Sequence, residues 1–340
     1  MLTNYNTKKT KNQKISNLTD KHLKYKTQKR FCECGKWIDF FADRELSKLK
    51  VYEANFCKNR FCPMCAWRKA HKDAMMISIL MEYIEKEHDK AFIFVTLTAP
   101  NVKGEDLKDE ITRYNKAFKK LVERDVISKI NQGYIRKLEV TYDGEPKITK
   151  EMYKNKKAYY DWRFLKIGDD NPNYDMYHPH FHCVFAVNPS YFKSRDYIKQ
   201  EKWLDLWCDV MKDQAITQVD VRRIKRGGTD AHTRDSAINE VAKYAAKDSD
   251  YGINQVVFDA FYDSLKGRQV LTFNDLFSQA NKKYKAKELE HYKTIDETNY
   301  VFQILYRWGG AEYLEKRRRE ITEEEYRRMK KEAVDEAAVT

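Results

Sequence analysis

The chain has 340 residues, 42% of them hydrophobic, so it can bury a sizeable core, and its length alone predicts about two domains. Its 65 Lys and Arg outnumber its 52 Asp and Glu, and the net charge of +13 favours a polyanionic partner such as nucleic acid. No apolar stretch approaches the roughly 20 residues that a membrane span requires, and residues 1–30 lack the apolar core of a secretion signal. We therefore expect a soluble, cytoplasmic protein without a membrane partner.

The first 30 residues carry nine Lys or Arg against one acidic residue, Asp20, and few large apolar side chains. Such a segment cannot offset its ordering entropy by burial, so the sequence predicts a flexible basic arm over 1–30. Attraction to phosphate and simple solubility explain this arm equally well.

Five of the seven cysteines follow within residues 32–65. A basic protein without a secretion signal belongs in a reducing compartment, which favours a zinc site over disulfides. Zinc takes four ligands, and the candidates are Cys32, Cys34, Cys57, Cys62 and Cys65. We prefer the last four and keep Cys32 as the alternative to Cys57. The Zn²⁺ would fold a small module over 31–70 and would not be catalytic.

Hydrophobic periodicity predicts an α+β architecture over 71–250, with helices packed on an antiparallel or mixed sheet. The predicted helices are 66–88, 104–130, 194–213 and 238–248, and the predicted strands are 91–100, 133–142, 177–185 and 216–224. The polar stretch 143–175 between two strands is predicted as a loop with some helix, of the kind found at substrate sites. From 251 to 340 the pattern predicts mainly helix, with 313–338 as a solvated helix.

Three of the eight histidines, His178, His180 and His182, alternate along one predicted strand. Because strand side chains alternate between faces, these three line one face about 6.6–6.8 Å apart and can close on one metal ion. For a single histidine, the simpler interpretation is a side chain that is hydrogen-bonded or exposed on a half-buried strand. Three in register beside the apolar run at 184–187 indicate a metal site.

The helix predicted over 238–248 would place Glu240 beside Tyr244 and Lys243 beside Lys247, because residues four apart are neighbours on a helix. By itself this pattern favours a tyrosine packed on the sheet among surface ions. Tyrosine is a poor nucleophile until a base, metal or cation assists it. Combined with a metal-binding strand, the pattern indicates attack on a phosphodiester whose charge the cation neutralises.

These motifs resemble the replication initiators of small rolling-circle plasmids of bacteria, within the HUH endonuclease superfamily. The resemblance covers residues 31–275 and rests on four segments, 94–98, 178–182, 240–247 and the cysteine motif 57–65. It implies a central antiparallel sheet and an initiator with one tyrosine and a glutamate four residues before it. The domains would be the arm at 1–30, the zinc module at 31–70, a nuclease at 71–250 and a helical region at 251–340.

The resemblance implies that Tyr244 nicks one strand of plasmid origin DNA, single-stranded or in a hairpin. The products are a 5′ phosphotyrosine and a free 3′ hydroxyl that primes synthesis. Lys247 would stabilise the phosphate, and Glu240 would activate water at termination. A host helicase is a candidate partner, and the sequence does not determine the oligomeric state.

The resemblance places the catalytic cation, Mn²⁺ or Mg²⁺, at His180 and His182. Its third ligand stays open between His178, which alternation offers, and Glu139, which matches the position of an acidic ligand in relatives. The candidate DNA contacts are Arg222, Arg223, Lys225, Arg226 and Lys243.

Two other functions compete with a nicking initiator. A non-catalytic, zinc-containing DNA-binding regulator would explain the charge and the cysteines but would leave the histidine strand without a role. Related HUH enzymes use similar chemistry, but relaxases place their tyrosine before the histidines. The small transposases lack the zinc module and the C-terminal extension.

Overall fold

The computed structural model describes residues 2–225, 233–243, 245–294 and 296–326. The chain divides into two compact units that interleave in sequence. The first unit comprises Met1–Asp89, Ile238–Tyr244 and Asp275–Thr340, and the second comprises Lys90–Ala237 and Ala245–Asn274. This division differs from sequence-based boundaries at 30, 70 and 250, because contacts between distant segments define a unit and sequence patterns are local.

Nine strands and twelve α-helices are present in the described residues. The strands are β1 Trp37–Asp43, β2 Leu49–Ala54, β3 Ala91–Thr98, β4 Tyr134–Asp143, β5 Met176–Val187, β6 Val219–Arg223, β7 Leu271–Phe273, β8 Tyr300–Trp308 and β9 Tyr313–Glu320. The helices are α1 Leu2–Ser16, α2 Tyr25–Cys32, α3 Pro63–His88, α4 Leu107–Val122, α5 Asp125–Ser128, α6 Lys150–Asn155, α7 Lys157–Trp162, α8 Gln200–Met211, α9 Arg234–Ala242, α10 Asp248–Tyr251, α11 Gln255–Leu265 and α12 Asp275–Lys285. The α+β class expected from the sequence is confirmed.

The first unit contains an antiparallel sheet in the order β2-β1-β8-β9. The mainly helical C-terminal region that the sequence predicts contains α11 and α12, but the last two strands of this sheet occupy 300–320. The prediction of helix is therefore wrong over 300–320, which includes the first part of the solvated helix predicted over 313–338. The reason is tertiary pairing: β8 pairs with β1 along its length, and the charged β9 lies at the sheet edge, where charges deter pairing with other chains. Residues 327–338 lie outside the described part of the chain.

The expected flexible arm over 1–30 is instead helical in its described residues. Four residues of α1 at helical spacing are buried: Tyr5, Lys9, Asn12 and Ile15. The Tyr5 ring lies 5.3 Å from the Phe40 ring of β1 and 5.0 Å from the Trp67 ring of α3. Two of these four residues are polar, so apolar periodicity does not predict this buried face.

The second unit contains an antiparallel sheet in the order β6-β3-β5-β4-β7. Alternation along the central strand β5 separates two faces. Phe181 packs against Tyr114 and Phe118 of α4, with ring centroids 5.5 and 5.6 Å away. His180 and His182 therefore lie on the opposite face, away from α4.

We expect Phe181→Ala to lower the free energy of unfolding by about 3–5 kcal/mol, because it empties a site between two aromatic rings in a core where Phe181 is 1% exposed. Urea denaturation followed by circular dichroism measures the loss. Phe164→Ala is the matched control, since Phe164 is 91% exposed and its removal should cost less than about 0.5 kcal/mol. Equal effects of the two substitutions would contradict this account of the core.

Candidate functional site

The register of the β4–β5 pair brings Glu139 directly opposite His180. His182 lies two residues along β5 on the same face, and Glu139, His180 and His182 form one group of potential metal ligands. Glu139 Oε2 lies 3.1 Å from His180 Nε2 and 2.8 Å from His182 Nε2. The three side chains are largely buried, with exposures of 5, 11 and 8%.

These distances suit a shared divalent cation. Two ligand atoms at right angles around an octahedral ion, each about 2.1 Å from it, lie about 3 Å apart. Burial alone raises the pKa of Glu139, but hydrogen bonds with His180 and His182 outweigh it and hold that pKa well below its usual value. The carboxylate is therefore ionised at neutral pH, as a metal ligand must be.

His178 is not part of the group, although its ring lies 5.3 Å from that of His180. Burial, together with unfavourable electrostatic interactions with His180 and Lys156, lowers the pKa of His178 to about 3, so His178 is neutral at pH 7. Thr96, which no sequence pattern marks as a site residue, lies opposite His182, with its Oγ1 3.3 Å from Nδ1. This contact orients the imidazole, a role common around metal ligands.

Pro179 lies between two histidines of a central strand, where the missing N–H of proline normally disrupts pairing. The partner strand β3 pairs with β5 only as far as Thr98, opposite His180. On the other side, the Val140 N–H opposite Pro179 points away from β5 and donates to the Ala245 carbonyl at 2.8 Å. The proline nitrogen thus faces the side where β3 has ended, and the histidine register is kept.

A second group of potential ligands, in the first unit, consists of Cys34, Cys57, Cys62 and Cys65. The Sγ atoms of Cys34 and Cys62 are 3.5 Å apart, and Cys65 Sγ lies 3.5 Å from Cys34 Sγ and 3.6 Å from Cys57 Sγ. These distances exclude disulfides, whose S–S bond is about 2.05 Å. They approach the roughly 3.8 Å between sulfurs about 2.3 Å from a tetrahedral zinc ion. Cys32 is exposed and outside the group.

Helix α1 contacts this cysteine group through polar side chains. Lys9 Nζ donates to the Cys34 carbonyl at 2.7 Å, to the Cys32 carbonyl at 3.0 Å and to Asn12 Oδ1 at 3.1 Å. Asn12 Nδ2 donates to the Phe31 carbonyl at 3.1 Å and lies 3.5 Å from Cys62 Sγ. Burial lowers the pKa of Lys9 and nearby cysteine charges raise it, so thiolates bound to a metal would favour the ammonium form, which in turn would offset their negative charge. Only the helical spacing of Lys9 and Asn12 with Tyr5 could have revealed them in the sequence.

The helix predicted over 238–248 is interrupted, so this prediction is wrong. Helix α9 ends at Ala242, and Lys247 is extended before α10. The sheet edge explains the break, because the Ala245 carbonyl accepts from Val140 instead of from a helical N–H. Glu240 belongs to the first unit and forms a 2.6 Å ion pair with Lys243, whereas Lys247 belongs to the second. Tyr244 lies outside the described residues.

The candidate DNA contacts differ in exposure. The Arg222 side chain is 18% exposed, and its guanidinium lies 4.6 Å from the centre of the Phe94 ring. Arg223 and Lys225 are exposed, and Arg223 lies over the Phe192 ring at 4.3 Å. Arg226 lies outside the described part of the chain.

Comparison with known proteins places these groups in a family. Residues 48–314 match the model of a family described as "Replication protein". A "Protein rep" of Staphylococcus aureus is 42% identical over 252 residues, which cover 74% of this chain and 95% of the relative. A "Protein rep" of Bacillus amyloliquefaciens is 32% identical over 78% of this chain and 75% of the relative. No solved structure matches the chain significantly.

The matched range includes both candidate metal groups, except for Cys34, and the segment around Glu240. The chain belongs to this replication-protein family, the initiators of rolling-circle plasmid replication. Among the helices in the described residues, none has the length and apolar character to cross a bilayer.

We expect Lys9→Met to weaken metal retention at the cysteine group by about 10- to 100-fold, because it removes a buried charge and leaves two carbonyls without their donor. Release of zinc to a chromogenic chelator, after loading with one equivalent, measures the effect. Lys14→Met is the control, since Lys14 is exposed on the same helix. Identical release from both variants would show that α1 does not support the cysteine group.

Proposed function

We propose that this chain nicks one strand of plasmid origin DNA through attack of Tyr244 on a phosphodiester, assisted by a cation bound at Glu139, His180 and His182. The convergence of these three side chains on one sheet face, in a replication-family chain, carries the proposal. Ala245, the residue after Tyr244, is hydrogen-bonded to Val140, which adjoins Glu139. This hydrogen bond holds Ala245 at the strand that carries the candidate ligand Glu139, which supports the proposal.

The proposed step exchanges one phosphate ester for another. The phenolic oxygen of Tyr244 forms a bond to phosphorus, and the bond from phosphorus to the 3′ oxygen breaks. The phenolic proton is lost, and the 3′ oxygen takes up a proton to become the primer hydroxyl. A bound Mn²⁺ or Mg²⁺ supplies Lewis-acid polarisation of the phosphate, and imidazole ligands favour Mn²⁺. Because the ester energy is retained, the step is reversible and can rejoin strands.

Termination requires a different group. Glu240 would remove a proton from water in this step, and its ion pair with Lys243 holds the carboxylate in place. The exposed Lys247 would neutralise the phosphate during transfer. The partner is origin DNA, unpaired or in a hairpin at the nick.

We assign a separate, structural role to the cysteine group. Four sulfurs at near-tetrahedral spacing suit Zn²⁺, and four protein ligands leave no position for substrate. Bound zinc would link the turn after α2, the loop before α3 and the first turn of α3.

We expect Tyr244→Phe to abolish both nicking and covalent attachment, because it removes the attacking oxygen and little else. The assay combines supercoiled plasmid carrying the origin with divalent cation and detects nicked circles and protein-linked DNA after protease treatment. Glu240→Gln is the paired variant and should still nick while failing to terminate cleanly. A DNA adduct formed by the Phe variant would exclude Tyr244 as the nucleophile, and an uncut plasmid with the wild-type protein would favour a non-catalytic regulator.

The third ligand of the cation can be tested by two matched substitutions. Glu139→Gln should lower cation-dependent nicking by about 100-fold, because Glu139 contacts both histidines, whereas His178→Gln should change it less than about tenfold. Nicking rates are measured after chelation and titration with Mn²⁺ or Mg²⁺. The reverse order would make His178 the ligand, and nicking undiminished by chelator would exclude the metal role.

A further inference from the structure

The segment between β4 and β5 is a folded insert attached to the strands that carry Glu139 and His180. At its base, Tyr142 Oη donates to Asp175 Oδ1 at 2.8 Å, and Asn171 Nδ2 donates to Asp143 Oδ1 at 2.7 Å. Lys156 of the insert also interacts electrostatically with His178. The insert therefore lies beside the candidate cation site within the same unit.

This insert has a small core and yet leaves large apolar side chains in water. Ile148 and Tyr160 are buried, and the Tyr160 ring stacks on that of Tyr153 at 5.9 Å. Trp162, Phe164 and Ile167 are 70, 91 and 50% exposed, and we call these three residues the aromatic tip after the two rings among them. Isolated exposed hydrophobic residues are ordinary, but three within six positions of a folded segment indicate a contact surface.

The backbone at Phe164 supports this interpretation. Helix α7 ends in a Schellman motif, in which the Leu165 N–H donates to the Tyr160 carbonyl and the Phe164 N–H to the Asp161 carbonyl. Phe164 occupies the left-handed position of this motif, at φ +57°, where glycine is usual and a bulky side chain is strained. Burial of the Phe164 ring does not offset the free-energy cost of this backbone conformation, because the ring is exposed. A strained backbone that carries an exposed ring therefore indicates a role in binding.

The surroundings of the tip select the class of partner. Between residues 147 and 166 the chain has seven Lys or Arg and two acidic residues, and Asp169 and Asp170 follow shortly after. Two of these cations are paired, Lys147 with Asp170 and Lys157 with Asp161, which leaves five others around the tip. The Arg163 guanidinium lies 4.8 Å from the centre of the Tyr159 ring and 5.7 Å from that of Trp162. Exposed rings among cations are the combination that binds unpaired nucleic acid, since bases stack on the rings and phosphates pair with the cations.

We propose that the aromatic tip stacks on unpaired bases of single-stranded DNA next to the nick site. The inference rests on the nicking function proposed above and extends it, because it assigns the preference for unpaired DNA to particular side chains. Duplex DNA hides the faces of its bases, so it would engage only the neighbouring cations.

The test measures fluorescence anisotropy of a labelled, mixed-sequence single strand and of the same sequence annealed as a duplex. Trp162→Ala and Phe164→Ala should each weaken single-strand binding about tenfold and duplex binding less than about twofold. Trp162→Phe should restore affinity, because a ring is retained. Tyr25→Ala is the control, since Tyr25 is an aromatic residue 81% exposed in another basic segment.

Equal losses of affinity for the single strand and for the duplex would overturn the proposal. Unchanged affinity of the variants for the single strand would also overturn it. The experiment needs no cleavage and is separable from the proposed function. If the variants lost single-strand binding and the wild-type protein failed to nick the origin plasmid, only the nicking proposal would be refuted.

Discussion

The pairing of β4 with β5 is the constraint on which the candidate cation site depends. Side chains on a strand alternate with a period of two, so a slip of one residue would turn Glu139 towards α4 and separate it from His180. Strand β4 is hydrogen-bonded along both edges. It pairs with β5 on one side. On the other side it pairs with β7, and its Leu138 and Val140 N–H groups donate to the carbonyls of Val270 and Ala245. These hydrogen bonds on both sides of β4 hold it in the register that aligns Glu139 with His180.

Both candidate metal groups depend on charges held away from water. In the second unit, Glu139 is buried and its charge is stabilised by two imidazoles. In the first unit, the ammonium group of Lys9 is buried beside cysteine backbone and sulfur atoms. Burying a charge is unfavourable unless it is paired, so each group needs its partners in place before the chain is stable around it.

The insert between β4 and β5 relates the fold to the proposed chemistry. It separates in sequence the acidic residue from the histidines, and its anchored base holds Asp143 and Asp175 together where the two strands leave the sheet. The strand pair thus positions the candidate ligands at its centre and the aromatic tip beyond its end. One hairpin can therefore serve both a cation and a nucleic acid strand, because sheet and insert fold within the same unit.

The sequence by itself determined which residues could bind metal, since strand alternation placed the histidines on one face and clustering identified the cysteines. It also predicted helices α3, α4 and α8 and strands β3, β4, β5 and β6, where apolar periodicity is strong. Only the tertiary structure brings Glu139 within ligand distance of His180 and His182, because the register of β4 and β5 joins residues that are 41 and 43 positions apart in the chain. The same holds for the break after Ala242, for the buried polar face of α1 and for β8 and β9. In each case a hydrogen bond or strand pair with a distant segment outweighed the local conformational preference. Sequence periodicity reports only local preference, so it does not predict such contacts.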